Sequence, residues 1–573
     1  MRSRLSFLYT FVFIVLLNTL FSFTDLSFDL TEEKKHSIAT ETKQILSELD
    51  DIIFIKIYLD GDFPAEFKYL QSEVLNLLTS FKSIAGTNFD FEFINPNQLV
   101  NEEEKMNLFK QLVNDGLSPT NIEIKTSSSK SNHMIFPCAS IYYKDKQQPV
   151  NFLKNSITKQ ANENVNASVE VLEFEFISAI QHLTKNKLDK IAFLEGNGEL
   201  NENQVYDITE SVLDDNFNLS YYYNVNRFNI KEFTLDSTTM LPDISRQLYI
   251  LNTYKAIIIA KPTIPFNQLE KLLIDQYVMH GGKILWLVDG VIANMDSLNN
   301  KSGSFVANKN QLNIDDQLLK YGVKINSNLV EDLRSSKIPI ITGYSKNKPQ
   351  QSYFQWPYFP LLVSDSKHPI SKGLDGIKCN FISSIDTIKN NIKKTILLHS
   401  SKKSRLNLAP TKVSLGILEN IPAIESYNKK HEPVAVLLEG EFESLYKNRL
   451  VTKNTQIKLK EESEKTKMII VADGDIIANK VSSSGIIFPL AYESNIKYTY
   501  AGNKHFLINA IQYLCDDNGL SHLKTKELSL RMLDKEKVQK NKLLIQLINI
   551  VLPVLILLIF AILFNKNKKR KYA

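Results

Sequence analysis

The chain has 573 residues, 43% hydrophobic and 23% charged, proportions of ordinary globular protein rather than of disordered or collagen-like chains. Its formal net charge of +5 owes much to basic residues near the two ends, so composition makes no case for a nucleic-acid partner. The three cysteines, Cys138, Cys379 and Cys515, stand far apart, which excludes a disulfide framework, a C-x-x-C redox pair and zinc-finger spacing.

The chain opens with Arg2 and Arg4 ahead of an apolar run, Leu5–Phe23, that is followed by Asp25, Asp29, Glu32 and Glu33. Positive charge before such a run and negative charge after it predicts a membrane span with its N-terminus inside. The stretch after its core, NTLFSF, offers no small-x-small cleavage site, so residues 1–24 read as an uncleaved anchor and not a signal peptide. Near the other end, LLIQLINIVLPVLILLIFAILF (543–564) carries no charge and is long enough to cross about 30 Å of hydrocarbon as a helix. Pro553 inside it is tolerated better by membrane helices than by soluble ones. A basic cluster, Lys566 to Lys571, follows, so residues 531–573 form a second span with a cytoplasmic tail. Two spans predict both termini in the cytoplasm of a bacterial cell, anchoring in the inner membrane, and about 515 residues in the periplasm. That length suits two to four domains.

Residues 25–160 predict a first α/β domain. Ser37 and Thr40 precede a short periodic helix, Ile52–Leu59 is a strand, Phe63–Ala85 a helix, Phe89–Ile94 a strand and Glu102–Asn114 a helix. Shorter strands follow at 122–124, 134–136 and 140–143, and the order β-α-β-α-β-β suits a thioredoxin-like fold. The first strand-to-helix turn is Asp60-Gly61-Asp62-Phe63-Pro64, which has no thiol and hence no redox chemistry. A linking helix at 166–185, within residues 161–189, leads to a second α/β domain over 190–530.

That domain alternates strands and helices as a doubly wound, Rossmann-like sheet does. Strands are expected at 191–194, 219–225, 256–260, 284–288, 434–438 and 468–471, and helices at 204–213, 267–279 and 504–515. The apolar runs AIIIA and ILWLV suit strands buried on both faces. Residues 325–430, rich in Tyr, Pro and Ser, read as an insertion or as further strands of the same sheet.

Four strands end in an acidic residue followed by glycine: Glu195-Gly196, Asp289-Gly290, Glu439-Gly440 and Asp473-Gly474. Ligands of open α/β sheets bind beyond the carboxyl ends of strands, where such side chains hold a cation or sugar hydroxyls. The structural alternative is that they cap the next turn while glycine supplies backbone freedom. Trp356, in Trp356-Pro357-Tyr358-Phe359-Pro360, is either a stacking surface for a ligand or partner or part of a buried turn. The nine histidines show no H-x-x-x-H or H-E-x-x-H pair and read as surface or turn residues, so no metal site is expected. No Walker loop, nucleophile elbow or dinucleotide fingerprint is present, and no cofactor and no catalytic residue is expected; Gly281-Gly282-Lys283 is a helix stop before a strand.

Ten stretches in order resemble the gliding-motility-associated ABC-transporter auxiliary proteins of the GldG family of Bacteroidetes. They are FDLTEEKKHSI (28–38), IYLDGDFPAEFKYLQ (57–71), IAFLEGNGEL (191–200), GGKILWLVD (281–289), QLNIDDQLLKYGV (311–323), WPYFPLL (356–362), SSIDTI (383–388), VLLEGEFESLYKNR (436–449), VADGDII (471–477) and GNKHFLINAIQYLCDD (502–517). The resemblance implies a membrane-anchored, non-ATPase, substrate-binding-type subunit that works with a separate ATPase subunit and a multi-spanning permease subunit. It also implies an α/β domain shared with an intraflagellar-transport protein for which sugar binding has been suggested, and it supplies no catalytic residues. The alternative is a periplasmic carbohydrate-binding receptor or hydrolase that uses the acidic strand ends, with a polysaccharide or other periplasmic ligand as partner.

Overall fold

The computed structural model describes Phe13, residues 38–525 and residues 542–572, except 99–100, 126–129, 154–160, 186, 214–216, 236–239, 241, 346–347, 365, 421, 449–457 and 495. The expected N-terminal span, Leu5–Phe23, lies outside the described residues apart from Phe13. The chain forms two units, Met1–Lys526 and Glu527–Ala573.

The first unit begins with a four-stranded sheet built from β1 (Ile53–Ile57), β2 (Phe89–Phe93), β3 (Cys138–Tyr143) and β4 (Lys146–Asn151), in the order β2-β1-β3-β4. β1 runs parallel to β2 and antiparallel to β3, and β3 pairs antiparallel with β4. Ile53, Ile55 and Ile57 alternate inward, as a half-buried strand requires. Helix α1 (Ala65–Ala85) buries Phe67, Leu70, Val74, Leu78 and Phe81, one face at steps of three and four residues. Gly86 then takes φ +63° and its amide closes on the Lys82 carbonyl, which ends the helix. The strands at Thr120–Lys125 and Lys130–Ile135 pair apart from this sheet as a hairpin, and α2 (Ala161–Thr184) follows β4.

The second sheet has seven strands: β5 (Lys190–Glu195), β6 (Asn224–Asn229), β7 (Ala256–Ala260), β8 (Lys283–Leu287), β9 (Lys393–His399), β10 (Pro433–Glu443) and β11 (Glu462–Val471). Their order is β9-β10-β11-β8-β7-β5-β6. β6, β5, β7, β8 and β11 are mutually parallel, whereas β10 runs antiparallel to both of its neighbours. The strand order reverses between β5 and β7, which makes their carboxyl ends the switch point of the sheet.

Both faces are covered. Ile257, Ile259, Ile284 and Trp286 share one core with Leu273, Ile274 and Tyr277 of α3 (Gln268–Met279). Ile191, Ile258 and Leu285 share another with Phe506, Leu507 and Ile511 of α4 (Ala501–Cys515). Each fully buried aliphatic side chain there contributes about 1.5–3 kcal/mol over leaving it in water. A capping box between Asn267 and Glu270 starts α3.

Two expected elements differ. In place of a helix over 204–213 there is a 3-10 turn at Glu202–Gln204 and a four-residue helix, Tyr206–Thr209. Asn201 and Gln204 close a capping box too early for a long helix, and Ser211 at φ +70° turns the chain away. In place of a strand over 219–225, Asn218 accepts a hydrogen bond from the Tyr221 amide and winds Leu219–Tyr222 into a helical turn before β6.

Within residues 325–430, β9 edges the large sheet, and other strands form small antiparallel pairs, among them a hairpin of Ser335–Ser345 with Lys348–Leu362. The described residues of the second unit form a helix, Lys542–Tyr572, with Pro553 inside. Its window Asn549–Lys566 has a mean hydropathy of 2.2 and is fully exposed in that unit, so by length and composition it can cross a membrane.

Candidate functional site at the carboxyl rim of the parallel strands

Because β7, β8 and β11 are adjacent and parallel, the residues just past their ends meet on one rim: Lys261, Asp289, and Asp473 with Asp475. Carboxylate oxygens of Asp289, Asp473 and Asp475 all lie within 4.8 Å of one another. The Lys261 ammonium is bonded to Asp475 and stands 3.5 Å from Asp289 Oδ2. Lys261 reaches in from a left-handed backbone conformation, φ +55°. Pro262 follows it, and Gly474 lies against its stem: a Cβ on Gly474 would sit 2.7 Å from Lys261 Cβ and Cγ and 3.1 Å from Asp289 Oδ1. Glycine at 474 is therefore a packing requirement.

The acids also tie down the loops. Asp289 Oδ1 accepts the Gly474 amide at 2.5 Å, Asp473 Oδ1 accepts the Asp475 amide at 2.8 Å, and Asp473 Oδ2 accepts the Asn380 amide at 3.1 Å. Burial and the neighbouring Asp475 carboxylate push the Asp289 carboxyl up to about 6. Burial, with Asp475 and Asp289 beside it, raises Asp473 well above the ordinary carboxylate range. Burial works against charge on Lys261, but the carboxylates of Asp289 and Asp475 outweigh it and hold the ammonium above its usual range. A shallow groove beside Asp289 runs past Gly290, Lys309, Asn310, Asp315 and Ser327. This rim holds positive charge internally through Lys261, and a cation or a hydrogen-bond donor entering it would compete with that ammonium.

Of the five residues singled out in the sequence, only Asp289 and Asp473 come together. Glu195 ends β5 on the same rim but is engaged by Arg227, whose Nη2 also donates to the Leu200 carbonyl at 2.6 Å. Glu439 is no strand end. β10 continues to Glu443 and runs antiparallel, which puts Glu439 level with Lys467 and Lys393 toward the opposite rim, where it accepts from Tyr513 at 2.7 Å and Lys393 at 2.9 Å. Trp356 is fully buried against Tyr358 with Phe359 and Phe381 in the same cluster, so its ring presents no stacking surface. It lies in a strand rather than a turn: the ladder skips from Lys337↔Gln355 to Ser335↔Pro360, and residues 356–359 bulge between. Lys261 and Asp475 were the residues missed. The signal was available, since Lys261 follows AIIIA as Asp289 follows ILWLV, and Asp475 repeats Asp473 two positions on.

The family model described as "ABC-type uncharacterized transport system" matches residues 188–510, from two residues before β5 into α4, and so takes in the whole large sheet and its rim. The chain belongs to this family of ABC transport auxiliary components. A domain of unknown function, DUF7088, matches residues 32–142. A relative from Borreliella burgdorferi, named only as an uncharacterized protein, is 22% identical over 577 aligned positions that cover 98% of this chain and 97% of the relative. Among solved structures, the mmIFT52 N-terminal domain aligns with 57% of this chain and 97% of its own, at 12% identity and a TM-score of 0.30, too low to assign a shared fold.

Proposed function

We propose that this ABC transport auxiliary component is a membrane-anchored, non-catalytic subunit. It stands between a separate ATPase, a multi-spanning permease and whatever the system moves. The observation that carries this reading is the family match over the large sheet, joined to an apolar helix of spanning length at Lys542–Tyr572. The α/β region faces the periplasm, the helix sits in the inner membrane, and ATP-driven movement of the partners reaches the sheet through the anchors. We read the first sheet as thioredoxin-like and the second as doubly wound, each a separate domain. Coupling to gliding motility is a narrower reading that rests on the ten sequence stretches alone.

The test is affinity capture of the full-length protein from mild detergent, with ATPase activity measured in the eluate. A co-purifying permease and ATPase are expected; a solitary protein without ATPase activity overturns the reading. The alternative is reception of a periplasmic ligand, a polysaccharide or another hydroxyl-rich molecule, at the rim, with Asp289 and Asp473 as its acceptors. It is favoured by the placement of these acids and Lys261 beside the groove past Gly290. Loss of glycan binding in Asp289→Ala protein that keeps its melting temperature would support it.

A further inference from the structure

The helix of the second unit carries an apolar run of 22 residues, 543–564, in which Gln546 and Asn549 are the polar side chains. Three residues apart, they stand about 60° from one another around the helix and close to one turn along it, so they share one face. Both are exposed in that unit. The face continues past them, since Pro553, Ile556, Phe560 and Leu563 follow at alternating steps of four and three. These six residues take the a and d positions of a heptad, the seam along which two helices pack side by side. The opposite face, with Val554, Leu558 and Ile562, is aliphatic. In a hydrocarbon core of about 30 Å centred on the run, Asn549 lies about 8 Å and Gln546 about 4 Å inside the boundary. The short side chain of Asn549 does not reach water from that depth.

We propose that this face pairs with the same face of a second copy of the chain, as a parallel two-helix interface within the membrane. The inference rests on the anchoring role proposed above. A carboxamide offers two N–H donors and a carbonyl acceptor, so it is its own complement. Identical helices inserted in one direction bring Asn549 level with Asn549 and Gln546 level with Gln546, and the carbonyl of each accepts from the amide of its counterpart. A helix of different sequence meets that requirement only where it carries a polar group at the same depth. The run bears no charge, so nothing in it selects an ionic partner. The apolar part of the seam obeys the same symmetry, with Ile556, Phe560 and Leu563 packing against their own counterparts level by level. A second copy therefore satisfies the polar pair and the apolar seam in a single register. In hydrocarbon, water is not available as the substitute partner.

The test uses the full-length protein in bacterial membranes. Its own cysteines, Cys138, Cys379 and Cys515, are buried and set the background. Cysteine is placed singly on the seam, as Ile556→Cys, Phe560→Cys and Leu563→Cys, and on the opposite face, as Val554→Cys, Leu558→Cys and Ile562→Cys. Oxidation with copper–phenanthroline and non-reducing gels then read the covalent dimer. Seam variants are expected to give at least about fivefold more dimer than opposite-face variants, and Asn549→Leu added to Ile556→Cys to lower the yield by about threefold to tenfold. Extraction with alkaline carbonate reports insertion separately. Protein that resists extraction but cross-links equally on both faces, not at all, or only to a different polypeptide overturns the pairing and leaves the anchor standing. A seam yield unchanged by Asn549→Leu overturns it as well. Protein released by carbonate overturns the anchoring reading, and the pairing with it.

Discussion

Lys261 reaches from the end of one central strand to bond Asp475 at the end of another, passing 3.5 Å from Asp289 on the strand between them. One ammonium thus serves carboxylates that the parallel sheet itself forces together. Removing it leaves like charges facing each other in a poorly hydrated place.

Lys261→Met is expected to destabilise the first unit by about 2–4 kcal/mol at pH 7. This is somewhat less than for a fully buried pair, because the Lys261 side chain keeps 22% of its exposure. Urea denaturation followed by circular dichroism measures this. An unchanged midpoint would mean that solvent, and not Lys261, neutralises the rim.

Asp289 gives the rim a pH dependence of definite sign. Its carboxyl is raised from an ordinary value of 3.8 to about 6, so in that window the folded chain binds protons that the unfolded chain has released. Stability therefore falls as pH rises from about 4 to about 6, and this contribution levels off above it. Asp289→Asn is expected to flatten that slope, as read from denaturation midpoints at half-unit pH steps. A slope identical to wild type would count against burial as the cause.

Trp356 separates packing from ligand stacking. It is fully buried and its indole Nε1 has no hydrogen-bond partner. Trp356→Ala should cost about 3–5 kcal/mol, whereas Trp356→Phe keeps most of the volume and gives up no hydrogen bond. Thermal melts of the two variants are the check, and a small loss for the alanine variant would show that the site is not close-packed.

Lys467 donates to the carbonyls of Tyr513 and Asp516, both at 3.1 Å, at the C-terminal end of α4, and lies 4.3 Å over the Tyr513 ring. Lys467→Met should cost about 1 kcal/mol and increase amide exchange in the last turn of α4 first. Exchange confined to the other end of the helix would contradict the capping role.

How much of this could be read in advance depended on whether the deciding contacts were local. AIIIA at 256–260 and the helix behind Asn267 were legible because burial on both faces and a capping box both leave marks within a few residues. The turn at 218–222 was not, since Leu-Ser-Tyr-Tyr suits a strand unless Asn218 caps it. Glu439 looked equivalent to Asp289 because an acid before glycine says nothing of strand direction, and β10 runs the other way. Trp356 and its prolines looked like a turn because a bulge uses the same residues.

Pro553 has no amide hydrogen to offer the carbonyl of Asn549 one turn earlier, so the terminal helix loses one rung of its ladder inside the apolar window. In hydrocarbon an unmet carbonyl is costly, and it is relieved by bending or by a donor from a neighbouring helix. In the anchoring role proposed above, this helix would serve as a jointed rod rather than a stiff peg, with its joint at Pro553 in the early part of the apolar window and a hydrogen-bond acceptor for a companion helix beside it.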